Sequence, residues 1–325
     1  MFSLTAKIII KSEKTWTFDK ISSCEIERDI ENITQKCTFT LPKNTKWKGE
    51  TAIPVKRGDR VSFSLGYDGD NTEVFTGYIS RLTTKTPVEI TCEDEMFLLK
   101  NTPAKKKTYP DADLEQMLRE QLPADVKLNV FSRHTFGKYV VDCDTVSALL
   151  GELSENGFTF FFRDGTLHAG MIFDHTGQIA GPKQLFIEGG VSGAQTGNII
   201  DDSDLVWNDA KNITLRIRAS GTDRTGKKIE VEVGDDDGEL RSYFKYSTTE
   251  EELKAEATKK LTEWKISGFS GSFTSFAAHP AWLLDLIKIK TNEHPEGGVY
   301  RVTKNTISYG NGGYRQEITI GGKTQ

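Results

Sequence analysis

The chain has 325 residues, with 42 Lys and Arg against 47 Asp and Glu and a formal net charge of −5 at pH 7. This length predicts two or three domains. The near-balanced charge excludes a protein whose main task is gripping phosphate backbones, since that affinity needs an excess of cations to displace counterions. Hydrophobic residues make up 36% of the chain and aromatic residues 10%, including 18 Phe, which is enough ring area for a packed core.

No stretch reaches the ~20 apolar residues of a membrane span. Ile8-Ile9-Ile10, held between Lys7 and Lys11, is too short for a signal core. No membrane anchor is expected, and the chain is expected to be kept in a cytoplasm or exported by a route it does not encode. Cys24, Cys37, Cys92 and Cys143 form no Cys-x-x-Cys pair, which removes zinc-ribbon and thioredoxin readings. Cys24 and Cys37 lie on adjacent strand-like runs where a bridge is geometrically open; buried free thiols are the default.

Period-two alternation dominates the first third and predicts strands. Cys24, Ile26 and Ile30 oppose Glu25, Glu27 and Asp29, and Cys37, Phe39 and Leu41 alternate with polar neighbours. Val61, Phe63 and Leu65 follow, then the turn Asp68-Gly69-Asp70-Asn71, a strand from Val74 to Leu82, and another through Val88, Ile90 and Cys92. Residues 1–93 thus read as about seven short strands in a small barrel or sandwich. Beyond Pro103 the spacing of Leu114, Met117, Leu118 and Leu122 predicts a helix capped by Asp111 or Asp113 and ended by Pro123. A second helix starts at Asp144, presents Val146, Leu149, Leu150 and Leu153, and stops at Gly157. Phe158 to Phe162 then turns at Asp164-Gly165 into a return strand reaching Phe173. Glycines at 189, 190, 193 and 197 predict a loop over 179–198, after which strands resume near Ile213, Ile229 and Tyr243. Ser247-Thr248-Thr249 ahead of Glu250-Glu251-Glu252 offers capping boxes and acidic charge at the start of a helix carrying Leu253, Ala257, Leu261 and Trp264. From Gly268 to Gly321 the chain reads as strand throughout.

Two stretches repeat. Arg57-Gly58-Asp59-Arg60-Val61, Val74-Phe75 and Glu89-Ile90-Thr91-Cys92 parallel Leu283-Leu284-Asp285-Leu286-Ile287, Val299-Tyr300 and Glu317-Ile318-Thr319-Ile320. Asp59 and Val74 are 15 positions apart, and Asp285 and Val299 are 14 apart. An internal duplication would place one similar β module near each end.

Few residues suggest chemistry. Gly221-Thr222-Asp223-Arg224-Thr225-Gly226-Lys227-Lys228 nearly fits a P-loop. However, Lys228 replaces the magnesium-binding hydroxyl, and Ile229 to Val233 reads as a strand where the phosphate-binding helix must begin. The acidic runs Asp235-Asp236-Asp237-Gly238-Glu239 and Asp201-Asp202-Ser203-Asp204 lack the EF-hand register. His134, His168, His175, His279 and His294 are scattered, and no Gly-x-Ser-x-Gly elbow is present. No residue is assigned a catalytic, cofactor-binding or metal-ligating role, and no cofactor is expected.

Arg57-Gly58-Asp59-Arg60-Val61, Val74-Phe75-Thr76-Gly77-Tyr78-Ile79 and Ile90-Thr91-Cys92-Glu93-Asp94 lead into Met96 and Leu98-Leu99-Lys100. The end carries Gly297-Gly298-Val299-Tyr300-Arg301-Val302 and Gly313-Tyr314-Arg315-Gln316-Glu317-Ile318-Thr319-Ile320-Gly321. Together these resemble phage late control protein D, the family of central baseplate hubs of contractile tails, which is similar to the hub portion of type VI secretion spikes. The resemblance follows element order along the whole chain, with specific matches at roughly 55–100 and 297–321 and little in 180–275. It implies a mainly β fold with α+β insertions: two similar small antiparallel, tube-like β-barrels plus two smaller inserted domains. Their expected limits are 1–100 for the first barrel, 101–178 for an inserted α+β domain, and 179–205 with 278–325 for the second barrel. A second inserted domain at 206–277 carries one helix (249–264).

The resemblance further implies a non-enzymatic homotrimer joining the sixfold tail tube to the threefold central spike. Tail tube protein, central spike protein and tape measure protein are its implied partners, without specific nucleic-acid binding. The implied place is the virion tail baseplate of a phage, prophage or related contractile injection system, assembled in the bacterial host cytoplasm. Candidate partner contacts are the turns Asp68, Gly69, Asp70, Asn71 and His294, Pro295, Glu296, Gly297, Gly298, because equivalent turns should lie at the same end of both barrels. The competing readings are a cell-wall-degrading tail-associated hydrolase with paired carboxylates and a generic β-rich binding module.

Overall fold

The computed structural model describes residues 3–43, 45–50, 53–83, 86–172, 184–189, 197–201, 204–222, 227–246 and 248–324. The first seven strands are β1 (Leu4–Lys11), β2 (Thr15–Phe18), β3 (Ser23–Asp29), β4 (Lys36–Thr40), β5 (Arg60–Tyr67), β6 (Asp70–Leu82) and β7 (Glu89–Glu93). One helical turn, α1 (Met96–Leu99), follows them. Alternation sets which residues go inside: Cys24 and Ile26 are buried on β3 while Glu25 and Glu27 are exposed. The third inward residue is Arg28, fully buried, where the sequence pattern pointed to Ile30.

Next come β8 (Lys107–Tyr109), α2 (Leu114–Gln121), β9 (Lys127–Val130), β10 (Tyr139–Val141), α3 (Val146–Glu155), β11 (Thr159–Arg163) and β12 (Thr166–Gly170). Asp113 caps α2 by accepting a bond from the Gln116 amide at 3.0 Å, and Leu114, Met117 and Leu118 are buried as their spacing predicts. The cap of α3 is Thr145 rather than Asp144: its hydroxyl accepts from the Ala148 amide at 3.2 Å, while the Asp144 carboxylate faces Lys106. Asp164 and Gly165 both have positive φ (50° and 70°) and close a two-residue hairpin between β11 and β12. The return strand ends at Gly170, and Phe173 lies outside the described residues.

The remaining elements are β13 (Gln184–Ile187), β14 (Ile199–Asp201), β15 (Leu205–Asn208), β16 (Leu215–Thr222), β17 (Lys228–Gly234), β18 (Glu239–Tyr246), α4 (Glu250–Trp264), β19 (Gly268–Phe276), β20 (Leu286–Lys290), β21 (Gly298–Gly310) and β22 (Gly313–Lys323). Thr249 and Glu252 form a complete capping box at α4. Ala277 to Asp285 is not strand, contrary to the unbroken run expected from Gly268. Pro280 has no N–H to give a ladder, and the Ala281 amide instead donates to the Gln316 side chain at 2.9 Å.

The chain forms two compact units: Met1–Phe97 with Gly181–Val206 and Ser270–Gln325, and Leu98–Ala180 with Trp207–Phe269. The second unit holds the sheets β11-β12-β9 and β17-β16-β18 and the pair β10-β8. There α4 places Leu253 and Ala257 against Leu215, Ile217, Ala219 and Tyr243, and the Tyr243 hydroxyl donates to the Leu253 carbonyl at 3.1 Å.

The first unit is built on one 14-stranded sheet. Its N-terminal half runs β1-β5-β6-β7-β4-β3, and its C-terminal half runs β13-β20-β21-β22-β19-β14. The two orders correspond strand for strand. One direction differs: β1 is antiparallel to β5, whereas β13 is parallel to β20. The halves meet where β3 pairs antiparallel with the distal part of β21.

Arg28 sits at that seam, directly opposite Asn305. Its guanidinium donates to Asn305 Oδ1 at 3.1 Å and to the Val74 carbonyl, and it stacks 3.9 Å from the Trp282 ring centroid. Val74 lies on β6, three ladders from β3, so the N-terminal half curls back on itself. Asn305 passes the network on to Gln316 Oε1 at 3.1 Å, and Gln316 donates to the Phe276 and His279 carbonyls. Arg28→Ala opens a cavity and leaves buried acceptors without a donor. We expect urea denaturation to show a loss of roughly 3–5 kcal/mol, with Lys36→Ala, on the exposed side of β4, shifting stability by less than about 0.5 kcal/mol.

Candidate partner interface

Each half of the large sheet enters its central hairpin through the same corner. Asp59 accepts from the Lys56 amide at 2.8 Å, and Asp285 accepts from the Trp282 amide, also three residues earlier, at 3.0 Å. The Ile79 amide donates to the Asp59 carbonyl and the Gly58 amide to Ile79; Val302, Asp285 and Leu284 repeat that exchange. Gly58 has φ +92° and its counterpart Leu284 has φ +64°. The second half therefore keeps a left-handed residue even though a buried leucine occupies it, a conformation that costs an L-residue about 1–2 kcal/mol.

The rest of the repeat follows in register. Ile79 faces Cys92 as Val302 faces Ile320, Arg81 faces Thr91 as Lys304 faces Thr319, and Phe39 faces Ile90 as Phe273 faces Ile318. The two Glu-Ile-Thr runs thus occupy equivalent places on β7 and β22. The pairing of Val74 with Val299 is not kept. Lys288 faces Val299 as Ser62 faces Thr76, so Val299 corresponds to Thr76; the bulge between Phe63 and Ser64 and the longer first hairpin shift the count.

The two candidate turns join equivalent strands, β5 to β6 and β20 to β21. Asp68 and Gly69 have φ of 52° and 93° and make a two-residue hairpin closed by Tyr67 and Asp70. This turn is tied to β1 and the residue before it. The Ser3 amide donates to Asp68 Oδ1 at 2.8 Å, the Gly69 amide donates to Thr5 Oγ1 at 3.1 Å, and Thr5 donates to Asn71 Oδ1 at 2.7 Å. The second turn is tied to the end of β13, where the Asn292 amide donates to Glu188 Oε2 at 2.7 Å. Because β13 runs parallel to β20, its end reaches the turn that the start of β1 reaches in the other half. Asp68, Gly69, Asp70, Pro295 and Glu296 are exposed, Asn71 and His294 are half-buried, and Gly297 and Gly298 are buried. Gly297 has φ +65°, and a Cβ there would lie 2.1 Å from the Ile289 carbonyl oxygen. His294 Nδ1 lies 3.4 Å from Glu296 Oε1 at the tip.

Several of the residues singled out in the sequence are held in structural contacts. Cys24 and Cys37 are free thiols with sulfurs 3.6 Å apart, and burial pushes the Cys37 and Cys92 thiols well up from the ordinary range, which removes the reactive thiolate. His168 stacks on Phe161 and contacts Asn129, and burial lowers its affinity for a proton. Asp235 accepts from the Leu215 amide and from Lys265, whose ammonium contact lowers its carboxyl pKa. In the P-loop-like stretch Thr222 pairs with Lys228 across β16 and β17, while 223–226 lie outside the described residues. His175, Asp202 and Ser203 also lie outside them. Among the described residues no group of three or more His, Cys, Asp or Glu side chains is placed to hold a metal ion, and no helix is long and apolar enough to cross a membrane.

If the two corners are copies of one device, Asp59→Ala and Asp285→Ala should behave alike. We expect each to cost about 1–3 kcal/mol in denaturant unfolding, because each strands a backbone amide. Asp285, the more buried at 1% exposure against 8%, should give the larger loss.

No family model matches the sequence, and no curated protein matches it. Solved structures do. A tail protein from Neisseria meningitidis superimposes with a TM-score of 0.62 at 15% identity, covering 99% of this chain and 97% of that one. The 43 kDa tail protein of prophage MuSo2 from Shewanella oneidensis gives 0.59 at 15% identity, covering 97% of each chain. The E. coli c3393 protein, a component of the type VI secretion system with structural similarity to the T4 bacteriophage tail proteins gp27 and gp5, gives 0.52 at 12% identity and covers 94% of this chain and 74% of that one. The chain therefore has the β-rich fold of phage tail proteins and of type VI secretion components.

Proposed function

We propose that the chain is a non-catalytic baseplate hub of a contractile phage tail or related injection machine. It acts as a homotrimeric adaptor between a sixfold tail tube and a threefold central spike. The observation that carries this reading is the repeated strand order β1-β5-β6-β7-β4-β3 and β13-β20-β21-β22-β19-β14, with its repeated aspartate corner. Three copies of a two-module chain present six near-equivalent surfaces to one partner while keeping true threefold symmetry for the other. Such a ring needs heterologous contacts that close after a fixed rotation. Shared fold with tail proteins over nearly the whole chain supports the same reading.

In this proposal the modules are tube-like barrels and the rest is inserted; the expected limits of 1–100, 101–178, 179–205 with 278–325, and 206–277 change at one place, because β19 (Gly268–Phe276) pairs with β22 and so belongs with the second module. The reach of Arg28 from β3 to Val74 on β6 supports curling of the first module. Partners are the tail tube and central spike proteins, with the tape measure protein as a further contact; neither nucleic acid nor membrane is bound specifically. The protein belongs to the virion tail baseplate and is assembled in the bacterial host cytoplasm. The exposed tips at Asp68–Asp70 and Pro295–Glu296 make the partner contacts.

Native mass spectrometry of the full chain, alone and with tube and spike proteins, should give a species of three times the 36.3 kDa chain mass. A monomer under all these conditions, or turnover of cell-wall material, overturns the reading. Asp70→Arg and Glu296→Arg should leave the unfolding midpoint unchanged, since both sites are exposed. Each should reduce assembled tails counted by electron microscopy by tenfold or more; normal tail yield from both variants would remove the turns from the interface.

A further inference from the structure

The seam between the two halves of the large sheet describes a second seam that is not formed within the chain among the described residues. In the seam present, β3 pairs with distal β21 from Asp29 opposite Lys304 to Cys24 opposite Tyr309. The equivalent of β3 is the run β14–β15. Ser23 faces Thr40 as Asp201 faces Thr274, and Asp204 bonds to Ser272 on β19 at the level where Glu25 faces Thr38 on β4. The equivalent of distal β21 is distal β6, since Arg81 and Lys304 face the two matching threonines, Thr91 and Thr319.

Among the described residues these two edges do not meet. β14 ends the sheet order on one side, and β6 pairs only with β5 and β7. The β5 ladder stops at Tyr78, so the last part of β6 runs on with β7 alone. The β14–β15 run presents apolar side chains to solvent, with Ile200 44% and Val206 55% exposed. An edge strand carrying such residues is a pairing hazard unless something covers it, and the internal seam supplies the shape of the cover.

We infer that β14–β15 of one chain pairs antiparallel with distal β6 of a second copy, in the register that β3 takes on β21. Thr306 faces Glu27 in the internal seam, so Thr83 of one copy faces Val206 of the next. Each copy donates one edge and receives one, which makes the contact head-to-tail. The half-buried Leu205 then takes the place that Ile26 holds beside β21, while Val206, like Glu27, keeps an outward face. This inference rests on the trimeric hub reading and gives that reading its subunit contact.

The test is oxidative cross-linking of the full chain carrying Thr83→Cys and Val206→Cys in a Cys143→Ser background, which leaves only the buried native thiols. Non-reducing gels should show covalent dimers and trimers and nothing larger, whereas the out-of-register pair Thr83→Cys with Ile200→Cys should link at least tenfold less. A matching thermal midpoint for the variants and parent establishes that they fold. Native trimers that leave the 83–206 pair unlinked, or link it no better than 83–200, overturn the strand seam while the hub reading stands. Chains that remain monomeric and unlinked at every concentration, with or without tube and spike, overturn both.

Discussion

A guanidinium with no access to water holds the two halves of the large sheet together. Arg28 is a costly residue to bury, and what offsets that cost is distributed over both halves: an amide on β21, a carbonyl on β6 and the Trp282 ring before β20. None of these partners is near Arg28 in sequence; Asn305 is 277 positions away. The network can therefore form only when the first and last parts of the chain have both folded and aligned. Alignment by a hydrogen-bonded buried network favours one register, because a slip would leave the charge and two amide side chains unsatisfied together. The register matters because it fixes how the two halves of the sheet are aligned with each other.

Much of this architecture is legible in the sequence, for identifiable reasons. Alternation marks a half-buried strand, so β3 to β7 were open to reading. Side-chain caps are local, so α2 and α4 could be placed from Asp113 and Thr249. The duplication shows through Asp59 and Asp285 because a carboxylate that caps an amide three residues back tolerates few replacements. It shows through Glu-Ile-Thr because those positions lie in equivalent central ladders. The candidate turns could be found for the same reason, although burial withdraws Gly297 and Gly298 from any surface role.

What stayed hidden is non-local. A charged residue in an alternating strand reads as a surface residue, so nothing marked Arg28 as core. The break from Ala277 to Asp285 depends on the Gln316 side chain, supplied by a strand some thirty residues on. Thr145 displaces Asp144 as the cap because Lys106 lies beside the aspartate. The seam between β3 and β21 has no local signature, since pairing between distant strands leaves none beyond compatible periodicity. The alignment of Val74 with Val299 misses the true counterpart, Thr76, by two positions, because a bulge and a longer hairpin in the first half change the count without breaking strand periodicity.

The position of the chain's long excursion has its own consequence. Between β3 and β4 the first module spends six residues, Ile30 to Gln35, whereas the matching connection in the second module, from β15 to β19, holds three strands and a helix. The same corner is thus bare in one half of the sheet and elaborated in the other, with the ladder around it kept. A scaffold with a repeated strand order of this kind offers a spare site: the short connection at Ile30–Gln35 is where a whole new domain could be grafted, giving each chain a further appendage while its strand order stays as it is.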